Sequence, residues 1–263
     1  MADIALPSSR PRRRGFGLVA PIRLATLLLL WAIWEGAAAS GLFYEGALPS
    51  SFKIARGVLA LLVSPVFYFN LGVTLLEVLA AVAIGVGGGI AIGLALGASR
   101  FAARAFEPYL HYLAPAPKII FLPVFMVMFG VGGGSKIAIG ALSCFFPMVL
   151  SVASGVREVD PVLLRVGRSF NLSLAQTVRK IYLPALVPPI ATGLRLGLGV
   201  AIIGTLLGEI KMSNRGIGFL IMQDYGQFRI ADMYAVLVIV FALAALGNAL
   251  IARFLRMKGR AVP

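Results

Sequence analysis

The tightest constraint on this chain is the length of its apolar runs. An α-helix rises about 1.5 Å per residue, so about 20 consecutive apolar residues are needed to cross roughly 30 Å of hydrocarbon. Six stretches reach or approach that length: about 23–40, 72–98, 109–130, 136–156, 186–208 and 233–254. With 60% hydrophobic and only 13% charged residues, the 263-residue chain has too little polar surface to face water. The expected fold is therefore all-α, a polytopic membrane protein with six transmembrane helices. Residues 41–70, between the first two runs, read as a surface segment with an interfacial helix. No internal repeat of the kind many secondary transporters carry is visible.

The formal charge of +14 is spread between apolar runs instead of gathered on one soluble domain, which argues against a nucleic-acid partner and makes it a topology signal. Seventeen of the 24 Lys and Arg residues fall on one side of the expected spans, among them Arg10, Arg12, Arg13, Arg14, Arg100, Arg104, Lys118, Arg157, Arg165 and Arg179. Six fall on the other: Lys53, Arg56, Lys136, Lys211, Arg215 and Arg229. Both termini are expected in the cytoplasm, with residues 1–22 a basic tail, 23–254 the membrane domain and 255–263 a second tail. The segment "RPRRRGF" followed by "LATLLLLWAIW" and "GAAAS" resembles a signal peptide, but its apolar run from Leu18 to Ala39 exceeds the 7–15 residues of a signal core. An uncleaved anchor is the expectation.

Inside this oily chain, "VGRSFNLSLAQTVRKIYLP" at 166–184 carries three cations and no acid. Its local signals describe two short helices. Asp160 and Pro161 supply an N-cap and a first-turn proline, and Val162, Leu163, Val166 and Phe170 then share one face. Asn171 is suited to stop that helix in the left-handed conformation. Ser173 and Gln176 form a capping box for the next helix, which Pro184 is expected to close. The product is a helical elbow over 161–183 on the cytoplasmic face.

This elbow resembles the Glu-Ala-Ala loop of ABC importer permeases. Ile181, Leu183 and Pro184 take the pattern's final positions, Asn171 stands at its glycine, and Arg165, Val166 and Gly167 stand at its Glu-Ala-Ala. The tail of the pattern matches and its head does not, with Arg165 reversing the charge of the family carboxylate. Other stretches, "LPSSFKIARGVLALL", "PAPKIIFLPVFMVMFGVG", "FFPMVLSVASGVREVDP", "LPALVPPIATGLRLGLGVAIIGTLLGEI" and "RGIGFLI", are similar in the same order to the permeases of nitrate, sulfonate and taurine-type importers. The resemblance covers about residues 20–255. It implies a type I (MetI-like) importer permease in a bacterial inner membrane. By the same resemblance the chain forms half of a homodimeric pore, served by two ATP-binding subunits that hold ATP and Mg and fed by a periplasmic solute-binding protein. The implied cargo is a small solute such as a sulfonate, taurine, nitrate or bicarbonate. Arg165, Gly167, Asn171, Ser173, Gln176, Ile181, Leu183 and Pro184 are then the expected ATPase-coupling residues.

No nucleotide site is expected on this chain. The tempting "GVGGGSK" at 130–136 places Ser135 before Lys136 with no Ser or Thr after it, and reads as a short external turn, not a strand–loop–helix phosphate cradle. Nor is there a catalytic or metal set: His111 is the only histidine and Cys144, the only cysteine, sits in an apolar run as packing.

Within the spans, Gly85, Gly89, Gly93 and Gly97 recur every four residues and invite a close helix neighbour. Pro115, Pro117 and Pro123 each remove an amide donor, which either kinks the helix or marks a cavity wall with Phe121, Pro123 and Phe125 near the translocation path. Glu35, Glu77 and Glu209 lie in the outer parts of their helices, as interfacial or paired groups or as functional ones. Arg195 stands about ten residues past Pro184, on the order of 15 Å along its helix. It is either a counter-charge for an anion or a structural partner of a helix end or carboxylate. A secondary transporter or channel of six helices is the alternative; it would call for mid-membrane acids or a repeat.

Overall fold

The computed structural model describes residues 16–43 and 46–259, and every regular element among them is helical. The basic positions Arg10, Arg12, Arg13, Arg14 and Arg260 lie outside the described residues. Among the described residues five helices are long and apolar enough to cross a membrane, or six if one bent pair is counted as a single span.

The first span, α1 (Phe16–Ala39), stands largely apart, with Leu24 and Leu27 to Leu30 exposed. Its C-terminal end is tied down by two polar contacts. Trp34 Nε1 donates to the Pro49 carbonyl at 3.1 Å, and Glu35 Oε1 accepts the Ser51 amide at 2.6 Å, at the start of α2 (Ser51–Leu62). That amide is one of the unpaired donors every helix N-terminus presents, so Glu35 is paired. Helix α2 rests on α11 (Ile230–Gly259), where a Cβ on Gly57 would meet Ala235 Cβ at 3.0 Å.

The centre is a three-helix stack of α3 (Pro65–Ala98), α6 (Gly133–Arg157) and α9 (Leu183–Met212). Helix α3 begins earlier than the apolar run suggests, because Pro65 fits a first turn and the Ser64 hydroxyl accepts the Phe67 amide at 3.4 Å. The glycine stripe of α3 lies against α6. A Cβ on Gly89 would stand 2.6 Å from Met148 Cβ, one on Gly93 2.7 Å from Val152 Cβ, and one on Gly97 2.5 Å from Val156 Cβ. Two four-residue repeats thus interlock, a glycine groove taking a ridge of larger side chains. From the other side, Gly193 and Gly197 of α9 come as close to Met148 and Cys144. Cys144, fully buried between the two helices, serves as packing.

The run at 109–130, expected to be one span, is a bent pair. Helix α4 (Arg100–Leu113) and the segment Lys118–Phe129 meet at 94°. Pro115 and Pro117 explain the break, since neither can donate to the preceding turn. The chain resumes as a 3₁₀ turn, Lys118–Phe121, followed by α5 (Leu122–Phe129). The Lys118 ammonium caps the Ala114 carbonyl, whose amide partner the break removes, and lies 5.2 Å from the centre of the Phe146 ring.

The elbow begins with α7 (Pro161–Ser169) and continues in α8 (Leu174–Thr177), followed by a five-residue π-type turn, Val178–Tyr182, that runs directly into α9. Pro184 therefore does not end the helix, as expected from the sequence, but sits in the first turn of the long one. A proline inside a helix removes the bond to the fourth residue back and crowds that carbonyl. The wider i→i+5 turn just before it accommodates both effects. A short helix, α10 (Ile217–Gly226), lies between α9 and α11 at the end of the bundle opposite the elbow.

Candidate functional site: the elbow and the helices behind it

The joint of the elbow is set by backbone geometry. Asn171 adopts φ 51°, the left-handed conformation expected of it. The Leu172 amide reaches back to the Gly167 carbonyl at 3.0 Å and the Asn171 amide to the Arg168 carbonyl at 3.0 Å, the two bonds of a Schellman stop. On the far side, the Ser173 amide donates to Gln176 Oε1 at 2.9 Å and the Gln176 amide to the Ser173 hydroxyl at 3.3 Å, the reciprocal capping box. At the start of α7, Asp160 Oδ1 accepts the Val162 amide at 2.7 Å. Each terminus around the bend is satisfied locally, so the angle between the two arms is fixed by the sequence of the loop itself.

The arms also touch. Gly167 is buried, and a Cβ there would come within 2.9 Å of Ile181 Cδ1 and 3.3 Å of Leu172 Cδ1. Ile181 is thus the buried clasp of the elbow, while Arg165, Leu183 and Pro184 are exposed. Val162, Leu163, Val166 and Phe170 form an apolar ridge on α7 that nothing in this chain covers among the described residues. Phe170 at its tip is 76% exposed.

The expected pathway residues fall on three elements. Phe121 closes the 3₁₀ turn, Pro123 lies in the first turn of α5, and Phe125 is one turn further on. The rings of Phe121, Phe125 and Phe129 form a ladder with centroid spacings of 6.4 and 6.3 Å. Arg195 stands on α9, exposed, and makes no hydrogen bond or ion pair among the described residues. The intrachain partner allowed for in the sequence reading is therefore not present among them.

A buried polar cluster escapes sequence reasoning. Glu77 on α3 and Lys136 on α6 face each other at 3.8 Å, and the Lys136 ammonium donates to Ser213 Oγ at 2.7 Å. Lys136, counted above as an external turn residue, is only 2% exposed, because α6 already begins at Gly133. Glu209, fully buried on α9, accepts the Thr74 hydroxyl at 2.6 Å and the Gly218 amide at 2.6 Å. Glu209 is thus held by hydrogen bonds, whereas Glu77 has the Lys136 ammonium beside it but a buried Oε2 with no hydrogen-bond partner among the described residues. At the opposite end, Arg157 grips Glu107 with two bonds of 3.0 and 2.6 Å. His111, for which the sequence offered no partner, stands 3.8 Å from the same carboxylate.

Comparison with known proteins agrees with this architecture. Residues 85–261 match the family described as "Binding-protein-dependent transport system inner membrane component". The chain is 30% identical over 234 residues to the putative aliphatic sulfonates transport permease protein of Bacillus subtilis, covering 89% of this chain and 84% of that one. It is 30% identical over 229 residues to the taurine transport system permease protein of Escherichia coli, covering 85% and 83% of the two chains. The nitrate import permease protein of Synechocystis is 30% identical over 230 residues, with 83% and 81% covered. The chain belongs to the binding-protein-dependent transport system inner membrane components, as a multi-pass permease subunit of an ABC importer.

Proposed function

We propose that two copies of this chain form the pore of an importer for a small anion, of the size and chemistry of a sulfonate, taurine or nitrate. Two ATP-binding subunits, which carry ATP and Mg, drive it, and a periplasmic solute-binding protein supplies the cargo. The observation that carries this reading is the elbow. It combines a locally fixed angle, a cationic surface and an uncovered apolar ridge at Val162, Leu163, Val166 and Phe170. A stiff element with an unfilled apolar face suits docking into a groove of a partner that must push on it. The cation excess on the elbow's side of the bundle supports a cytoplasmic elbow and cytoplasmic termini in a bacterial inner membrane.

The anion reading rests on the named cargoes of the relatives and on Arg195, a cation on a membrane helix with no ion pair among the described residues. Co-expression with a candidate ATPase and solute-binding protein from the same organism tests the whole proposal. The ATPase is expected to co-purify in mild detergent, and cargo-loaded binding protein to stimulate ATP hydrolysis in proteoliposomes. Uptake by the chain alone, without any ATPase, would overturn it in favour of a secondary transporter or channel.

A further inference from the structure

We propose that the cationic face of α4, together with Arg157 of α6, binds the phosphate headgroup of an anionic phospholipid at the membrane surface. At 3.6 residues per turn, Arg100, Arg104, Glu107 and His111 fall within an arc of roughly 60°. With Arg157 they line a cavity of about 630 Å³ at the elbow end of the bundle. Its one carboxylate is already occupied, because Glu107 takes both bonds from Arg157. Arg100 and Arg104 make no ion pair among the described residues. Two guanidinium forks without an acid are matched to the oxygens of a phosphate ester.

The rest of the helix says why the phosphate belongs to a lipid. Outside that arc the helix carries Phe101, Phe106, Tyr109 and Tyr112, all exposed, with Phe101 82% and Tyr112 81% accessible. Ala102 and Leu110 hold α4 to the bundle by packing against Leu96, Val149 and Ala153. The 94° bend turns α4 away from the direction of the segment Lys118–Phe129 that follows. An amphipathic helix with aromatics on one side and arginines on the other lies in the interface plane, its rings at the acyl boundary and its cations among headgroups. A soluble anion would have no use for the aromatic face.

The full-length chain, purified in mild detergent, tests this directly. Native mass spectrometry is expected to find phosphatidylglycerol retained in preference to phosphatidylcholine, and added phosphatidylglycerol is expected to raise the Tm where phosphatidylcholine does not. Each cation near an anionic surface is worth about fivefold in affinity, so R100Q/R104Q is expected to weaken the preference roughly 25-fold. K53Q/R56Q, which removes as many cations at the other end, is expected to keep it. Equal retention of the two lipids by the unaltered chain overturns the proposal, and that measurement needs no variant to fold. So does an unchanged preference in R100Q/R104Q. A Tm rise with glycerol 3-phosphate alone would make the cavity a site for a soluble anion. Loss of the ATPase subunit from R100Q/R104Q with lipid preference intact would make it a protein contact.

Discussion

Thr74 and Glu209, 135 positions apart in sequence, share a hydrogen bond of 2.6 Å inside the bundle. The same threonine oxygen accepts the Ile217 amide at 2.8 Å, Glu209 Oε2 accepts the Gly218 amide at 2.6 Å, and Asn70 Oδ1 accepts the Gly216 amide at 2.6 Å. These three amides open α10. Side chains from α3 and α9 therefore cap a third helix whose own sequence supplies no cap, and a carboxylate sits where the helix dipole favours it.

Removing the threonine hydroxyl should expose that dependence. Thr74→Val keeps the shape but takes a donor from Glu209 and an acceptor from Ile217, leaving buried groups unpaired. A loss of about 1–3 kcal/mol is expected, read as a lower unfolding midpoint in detergent. Thr74→Ser restores both bonds and is expected to recover most of it. A Val variant as stable as the parent would show that α10 is held by its apolar contacts alone.

The glycine groove makes a sharper contrast between neighbours. A methyl on Gly93 would stand 2.7 Å from Val152 Cβ and 2.9 Å from the Val149 carbonyl, whereas one on Gly87 meets nothing within 4 Å. Overpacking of this kind costs about 1–3 kcal/mol, so Gly93→Ala is expected to lower thermal stability and membrane yield while Gly87→Ala leaves both unchanged. Equal behaviour of the two variants would mean that α3 and α6 do not approach as closely as described.

What could be read from the sequence was whatever is local. Apolar length announced the spans, and Asp160, Asn171, Ser173 and Gln176 announced the elbow, because a cap is written within four residues of the terminus it serves. Pro115 and Pro117 were read correctly as donor losses, but hydropathy is blind to direction, so the run at 109–130 passed for one span when it turns through 94°. Pro184 misled for a related reason: its rule forbids a regular α-turn and says nothing of the π-type turn that relieves it. The cluster of Glu77, Lys136, Thr74 and Glu209 was invisible because its partners come from three helices, and one sequence contains no pairing information across such distances.

At the elbow, the discriminating substitutions are both at Asn171. Its φ of 51° costs a β-branched side chain about 1–2 kcal/mol and costs glycine none. Asn171→Gly is expected to be tolerated, since the Schellman bonds use only backbone. Asn171→Val is expected to shift the angle between α7 and α8 and to reduce cargo-stimulated ATP hydrolysis in the reconstituted complex. Normal stimulation in the Val variant, with the ATPase still bound, would show that this joint does not carry the signal.

Arg195 poses the last test. An arginine at the centre of a membrane helix costs about 2.5–3.5 kcal/mol unless it meets something polar, yet this one is exposed on α9 with no ion pair among the described residues. Whatever satisfies it therefore lies outside the described residues, and water in the translocation path, the cargo itself and a second copy are the candidates the test separates. Because no hydrogen bond or ion pair among the described residues is lost, Arg195→Gln is expected to leave the stability of the isolated chain within about 0.5 kcal/mol. In the assembled importer it is expected to lower anion uptake several-fold while basal ATP hydrolysis continues, with Arg195→Lys keeping more uptake than Gln because it keeps the charge. Dissociation of the complex in the Gln variant would assign Arg195 to the contact between copies. Unchanged uptake in Arg195→Gln would remove it from the pathway altogether.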